Sequence, residues 1–179
     1  MIRHDGDPGR CAVILPGVRY FSQAPLLWFA REAAQAGGWS VVEVDERAPA
    51  GEEPFTWMRA QAKRGLDAAS GAELKVVIGK SLGSVAATLV SGPAVWLTPL
   101  LTQLEIRDAL AATSAPTLLV GSPADPTWGD GTVPDNDALE VMELDALDHS
   151  LQVSGDPRAS LVALGRVTER VAAFLAALP

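Results

Sequence analysis

Cysteine and histidine are scarce in this chain of 179 residues, which has one cysteine and two histidines. A single cysteine excludes a disulfide framework within the chain and a cysteine-rich metal site. Because Cys11 opens a short apolar run, we expect it to be a small buried hydrophobe and not a reactive thiol. Any chemistry that needs an imidazole must use His4 or His149.

Long hydrophobic runs are also absent. No stretch approaches the roughly 18 apolar residues that a membrane-spanning helix needs. The polar, acidic residues 1–10 do not contain the apolar core of a signal peptide, so we expect a cytoplasmic protein without a membrane partner. Positive charge is in deficit, with 14 Lys and Arg against 22 Asp and Glu. The net charge of −8 would repel nucleic acid.

The overall composition is typical of a folded globular protein, with 48% hydrophobic and 20% charged residues. The length suits a single domain over residues 1–179 with a full core. Residues 1–10 are rich in Gly, Pro and Asp and show no periodicity, so they are predicted to be a loose tail.

Short apolar segments alternate with helical patterns along the rest of the chain. Six strands are predicted, over residues 11–15, 39–44, 74–78, 94–97, 117–120 and 138–144. Five helices are predicted, over residues 25–36, 55–70, 82–91, 103–112 and 158–178. Strict alternation favours right-handed crossovers, so we predict an α/β fold with a parallel, doubly wound sheet between two layers of helices.

The third predicted strand runs directly into the sequence G-K-S-L-G at residues 79–83, followed by small residues. A β-branched strand before G-x-S-x-G is typical of a nucleophile elbow, a tight turn that exposes the Oγ of the serine. Gly79-Lys80-Ser81 also resembles the end of a phosphate-binding loop. However, that motif needs a glycine where this chain has Leu74. The pattern therefore favours Ser81 as a nucleophile.

An acid and a histidine follow later strands of the predicted sheet. Asp125 comes after the fifth strand and His149 after the sixth. Because parallel strands end at the same sheet edge, we expect both side chains near Ser81, in the chain order Ser–Asp–His. An imidazole can take the serine proton, and a carboxylate can hold the imidazole in the required tautomer. His149 is the candidate base because His4 precedes the first predicted strand.

The acid has alternatives. Asp125 is favoured because it lies nearest to the strand end, and Asp130, Asp135 and Asp137 in the same loop stay open. Asp148 directly precedes the histidine and is poorly placed to curl back and orient it. We therefore expect Asp148 to be a solvated surface group.

A negatively charged transition state also needs donors, and backbone amides serve without reorganisation. One predicted donor is the amide of Leu82, which follows the serine at a helix N-terminus. The second is the amide of Val18, in the turn after the first strand. This chemistry needs neither a metal nor a cofactor.

Together these motifs resemble the α/β-hydrolase superfamily, in particular its small lidless serine esterases. The resemblance rests on G-K-S-L-G, the loop around Asp125 and D-H-S-L at residues 148–151. It implies a Ser81–His149–Asp125 triad and a parallel strand order of 2-1-3-4-5-6, with the predicted strands numbered along the chain. The chain also departs from the family. Pro16-Gly17 replaces the usual His-Gly, the two leading antiparallel strands are not expected, and residues 98–115 leave no room for a cap domain.

An uncapped site favours small esters or thioesters, cleaved through an acyl-enzyme on the serine. The substrate-pocket candidates are Gly17, Arg19, Tyr20, Lys80, Leu97, Thr98 and Trp128. Trp57 and Trp96 are further candidates, and core packing explains any of the tryptophans equally well. Lys80 or Arg19 could attract a carboxylate-bearing substrate, although a charged side chain of this kind is more often a solvated surface group or a salt-bridge partner. The alternatives are a catalytically silent binding protein, or an acyltransferase or peptidase that uses the same triad.

Overall fold

The structure is a computed structural model that describes residues 1–45, 51–129 and 132–179. Its strands are β1 (Ile2–His4), β2 (Asp7–Leu15), β3 (Trp39–Glu43), β4 (Leu74–Lys80), β5 (Ala94–Leu97), β6 (Thr117–Gly121) and β7 (Leu139–Glu143). Its α-helices are α1 (Pro25–Ala36), α2 (Pro54–Ala68), α3 (Leu104–Ala112) and α4 (Pro157–Ala177). A 3-10 helix, Ser81–Thr88, follows β4.

The strands form one sheet in the order β1-β3-β2-β4-β5-β6-β7. Strands β2 to β7 are parallel and correspond to the six predicted strands, so the predicted strand order is confirmed. Leu15 pairs with Gly79, and Lys80 pairs with Leu97. The carboxyl ends of β2, β4 and β5 therefore lie side by side, where the sequence places its candidate site.

The prediction of a loose tail over residues 1–10 is wrong. Strand β1 pairs antiparallel with β3, with Ile2 opposite Glu43, and β2 already begins at Asp7. A Cβ on Gly6 would lie 2.4 Å from the Trp39 carbonyl oxygen, so only glycine allows this approach. An edge strand is held through backbone hydrogen bonds and needs no apolar side chains. Its polar sequence therefore gave no strand signal.

Both faces of the sheet are buried at its centre, which explains why β5, β6 and the second half of β2 are nearly continuously apolar. On one face, Val76 and Ile78 pack in the core formed with α1 and α4. On the other face, Val77 packs with α2, α3 and the 3-10 helix. Cys11 is buried in this second core as a free thiol, as expected.

The element after the serine differs from its prediction. An α-helix is expected over residues 82–91, and the structure has the shorter 3-10 helix. The Ser84 hydroxyl donates to the Ser81 carbonyl at 2.7 Å, and the Thr88 hydroxyl donates to the Val85 carbonyl at 2.9 Å. These side chains compete for carbonyls that an α-helix would use.

The connection between β5 and β6 contains only α3, and no cap domain is inserted anywhere in the described residues. Within the same ranges, no helix combines the length and the apolar character that crossing a bilayer requires.

Candidate active site

Ser81 lies at the sharp turn between β4 and the 3-10 helix. Its φ is +53°, a left-handed conformation that non-glycine residues adopt mainly under structural constraint. A Cβ on Gly79 would lie 2.7 Å from the Trp96 ring, and a Cβ on Gly83 would lie 2.8 Å from the Leu15 carbonyl oxygen. The two glycines of the motif thus permit close packing on both sides of the serine.

The three side chains singled out in the sequence form one hydrogen-bonded chain. The Oγ of Ser81 lies 2.8 Å from Nε2 of His149. Nδ1 of the same imidazole lies 2.7 Å from Oδ2 of Asp125. The carboxylate is buried, and its burial would raise its pKa. Hydrogen bonds led by those from His149 and the Thr127 amide outweigh burial and lower the pKa of Asp125.

The other acids that were considered lie elsewhere. Asp135 and Asp137 are exposed and make no hydrogen bond to His149, and Asp130 lies outside the described residues. Asp148 is also exposed, as expected. It accepts the backbone N–H groups of residues 150 and 152, which fixes the turn after the histidine.

Thr127 completes the arrangement and was not predicted. Its backbone N–H donates to Oδ1 of Asp125 at 2.9 Å. Its hydroxyl lies 2.9 and 3.0 Å from the two carboxylate oxygens and 2.9 Å from Nδ1 of His149. An Asp followed two residues later by Thr is a local turn pattern, and this spacing is the only sequence signal that could have identified it.

The predicted amide donors flank the serine. A turn after β2 is closed by hydrogen bonds between Gly17 and Tyr20, and it carries Val18 and Arg19 at its exposed tip. A Cβ on Gly17 would lie 3.1 Å from the Cβ of Ser81, so the turn begins against the predicted nucleophile. In the described part of the chain, the Val18 N–H has no hydrogen-bond partner. Leu82 lies in the first turn of the 3-10 helix, where amides have no partner within the helix.

Solved structures match the fold along most of the chain. An esterase domain from a Rhodothermus marinus protein has a TM-score of 0.63 at 17% identity, covering 92% of this chain and 85% of that chain. A lidless α/β serine hydrolase from Xanthomonas campestris has a TM-score of 0.59 at 16% identity, covering 98% and 86%. Est1E from Butyrivibrio proteoclasticus with ferulic acid bound has a TM-score of 0.66 at 13% identity, covering 98% and 94%. The chain has the α/β-hydrolase fold. No protein-family model and no curated protein matches it.

Three of the predicted substrate-pocket residues have essentially no solvent-exposed surface. They are Leu97, Thr98 and Trp128. The Trp128 ring packs against Gly121 and donates its N–H to Glu143 at 2.8 Å, so core packing and not a pocket wall accounts for it. Trp57 and Trp96 are also buried in the core. These predictions are corrected, because burial in the core leaves these side chains almost no surface with which to contact a substrate.

Lys80 and Tyr20 lie next to each other near the predicted nucleophile. Only 2% of Lys80 is exposed, and its Nζ lies 4.7 Å from the centroid of the Tyr20 ring. Burial lowers the pKa of Lys80 to about 8, against a smaller opposite effect of Asp125 and Asp148. Burial raises the pKa of Tyr20 to about 12, although a hydrogen bond from the Leu26 amide opposes this.

This chain also has a cavity of about 640 Å³ that was not predicted. Asp148 and the loop after His149 line it, whereas the side chains of Ser81 and His149 do not. The start of α1, the loop from residue 150 to 157 and the first turns of α4 form its walls. The lining residues include apolar groups, two carboxylates and no cation. Those two carboxylates, Asp148 and Asp156, accept backbone N–H groups. The lining therefore suits a neutral, partly apolar ligand group.

No group of three or more His, Cys, Asp or Glu side chains in residues 1–45, 51–129 and 132–179 is arranged to hold a metal ion. The polar groups at the end of β4 and in the loops after β6 and β7 are instead bonded to one another. This hydrogen-bonded set is suited to proton transfer from the serine hydroxyl to the imidazole.

Proposed function

We propose that the protein is a serine hydrolase that cleaves small carboxylic esters or thioesters through an acyl-enzyme on Ser81. The observation that carries the proposal is the continuous contact from Ser81 through His149 to Asp125, at 2.8 and 2.7 Å. A serine hydroxyl is a poor nucleophile at neutral pH, and an adjacent imidazole held by a carboxylate is what activates it.

In the first half-reaction, Nε2 of His149 accepts the hydroxyl proton while Oγ of Ser81 bonds to the substrate carbonyl carbon. The resulting oxyanion accepts hydrogen bonds from the Leu82 and Val18 amides. The intermediate collapses when the bond from carbon to the alcohol or thiol breaks. His149 then gives its proton to the departing oxygen or sulfur, which leaves an acyl ester on the serine.

In the second half-reaction, water takes the place of the alcohol. His149 accepts one water proton as the water oxygen attacks the acyl carbon. The bond to Ser81 breaks, and the imidazole returns the proton to Oγ. The products are a carboxylic acid and the original enzyme. Asp125 stays ionised throughout and stabilises the imidazolium that forms in each half.

The cavity at the loop after His149 supports a substrate with one neutral, partly apolar group. Its volume of about 640 Å³ lies within the range typical of small-molecule sites. The other side of the serine is bounded by the turn at residues 17–20. A substrate would thus bind between this turn and the histidine loop, with its carbonyl over Ser81.

Turnover of p-nitrophenyl acetate and of a short acyl thioester tests the proposal. We expect wild type to hydrolyse at least one of them and Ser81→Ala and His149→Ala to lose nearly all of that activity. Ser70→Ala changes an exposed serine after α2 and serves as the matched control with unchanged activity. Undiminished turnover in Ser81→Ala, or no turnover of any ester or thioester by wild type, would contradict the proposal.

A further inference from the structure

Next to the predicted nucleophile is a buried ammonium group that the acyl-transfer steps do not use. Lys80 is 2% exposed, and within the described residues it forms no ion pair and no hydrogen bond. Its ammonium instead lies over the ring of Tyr20. A charge that is buried without an opposite charge is costly to the fold. A fold that keeps such a charge beside its active site points to an anionic ligand.

The side chains of Lys80 and Ser81 both lie against the turn after β2. A Cβ on Gly17 would lie 3.1 Å from Cβ of Ser81 and 3.2 Å from Cδ of Lys80. The serine and the lysine stem therefore pack against the same glycine. An acyl group attached to Oγ that extends along this glycine would carry its far end towards the lysine side chain.

The carboxylates near Lys80 form hydrogen bonds with other groups. Asp125 and Asp148 are the carboxylates whose charges act on it, and neither lies within ion-pair distance. Asp125 is bonded to His149 and Thr127, and Asp148 accepts two backbone amides. The ammonium thus has no carboxylate of its own among the described residues.

A second positive group lies on the same side. The Tyr20 hydroxyl accepts the N–H of Leu26 in the first turn of α1 at 3.0 Å. The N-cap residue Ala24 makes no side-chain hydrogen bond, so the Tyr20 hydroxyl lies at the positive end of the helix dipole. Both features favour a negative charge near the tyrosine ring.

We propose that Lys80 binds a free carboxylate on the acyl group of the substrate. This inference rests on the proposed hydrolase function and narrows its substrates to half-esters of short dicarboxylic acids. The free carboxylate takes no part in bond breaking. It pairs with the ammonium, and hydrolysis of the ester at Ser81 releases the dicarboxylic acid and the alcohol.

The test compares monoethyl succinate with ethyl butyrate, which has the same number of acyl carbons and no charge. The ratio of kcat/KM values for the two esters is measured by acid release at pH 7. We expect wild type to prefer the half-ester and Lys80→Met to reduce the ratio about 10-fold or more. Lys80→Arg keeps the charge and should retain part of the preference. Lys63→Met removes an exposed charge, matches the net charge of Lys80→Met and should leave the ratio unchanged.

Binding of the half-ester to a protein without the nucleophile tests the carboxylate site independently of hydrolysis. In the Ser81→Ala variant, monoethyl succinate should bind by calorimetry about 10-fold more tightly than in Ser81→Ala combined with Lys80→Met. Equal binding, or an unchanged ratio in Lys80→Met with ethyl butyrate still hydrolysed, would overturn the role of Lys80. If the wild-type protein hydrolyses no ester but the difference in binding of monoethyl succinate is still observed, the proposed hydrolase function is wrong and the proposed carboxylate site at Lys80 is retained.

Discussion

At the scale of single residues, the Thr127 hydroxyl contacts two members of the proposed triad. It contacts both oxygens of Asp125 and Nδ1 of His149 at once, so it fixes the carboxylate relative to the imidazole. Preorganisation of this kind affects the chemical step more than substrate binding. We therefore regard Thr127 as a positioning residue.

The first prediction follows from that role. Thr127→Val should lower kcat for p-nitrophenyl acetate about 10-fold and leave KM nearly unchanged, because the carboxylate loses one donor and some of its orientation. Thr127→Ser should recover most of the activity. Thr102→Val, at an exposed threonine, is the control. A change in KM alone, or failure of the serine variant to recover activity, would argue against positioning.

The second prediction concerns the effect of the buried Lys80 charge on the stability of the fold. Replacing it by Met keeps an apolar stem of similar size and removes a buried charge, so the free energy of unfolding at pH 7 should rise by about 1–3 kcal/mol. Urea unfolding of wild type, Lys80→Met and Lys63→Met measures this difference. A fall in stability for Lys80→Met would show that the cation–π contact with Tyr20 outweighs the cost of burial.

The pH dependence of that difference has a definite sign. The pKa of Lys80 is about 8 in the folded protein and 10.5 ordinarily, so the unfolded chain binds more protons between these values. Wild-type stability attributable to Lys80 should therefore rise from pH 8 towards pH 10.5. The advantage of Lys80→Met should shrink over the same window. A constant difference between the two proteins from pH 7 to 9.5 would contradict the lowered pKa.

At the scale of elements, the cavity between the starts of α1 and α4 gives the next prediction. Leu161 lines it and is 67% exposed, whereas Val162 is 65% exposed on the same helix and does not line it. The Leu161→Trp variant should lower kcat/KM several-fold for hexyl acetate relative to ethyl acetate, because the indole occupies the cavity that would receive the alcohol group. Val162→Trp should leave this ratio unchanged. If both variants change the ratio equally, the cavity does not receive part of the substrate.

Elements also show where sequence patterns are informative. The predicted bounds of α1 and β5 match the structure because Pro25 and the following glycines mark the helix, and a short apolar run marks the strand. Strand β1 is invisible in the sequence because its pairing with β3 uses the backbone. The 3-10 helix follows from hydroxyl contacts made by Ser84 and Thr88, which helix propensity alone does not encode.

At the scale of the whole molecule, the parallel sheet makes the candidate site predictable. Residues 68 positions apart, Ser81 and His149, meet because β4 and β7 end at the same sheet edge. The three principal side chains could therefore be derived from the residues, whereas the strand order was implied by the family resemblance. The substrate pocket could not be predicted from the sequence. Trp128 is buried because its ring packs against Gly121, and the shape of the cavity depends on how closely the first turns of α1 and α4 approach each other.

The central claim is that Ser81 becomes acylated with the help of His149. A fluorophosphonate probe followed by peptide mass spectrometry tests it most directly, because this reagent bonds covalently to activated serines. We expect one adduct on the peptide containing Ser81, greatly slowed labelling in His149→Ala and no labelling in Ser81→Ala. An unlabelled wild-type protein, or an adduct on a different serine, would contradict the account.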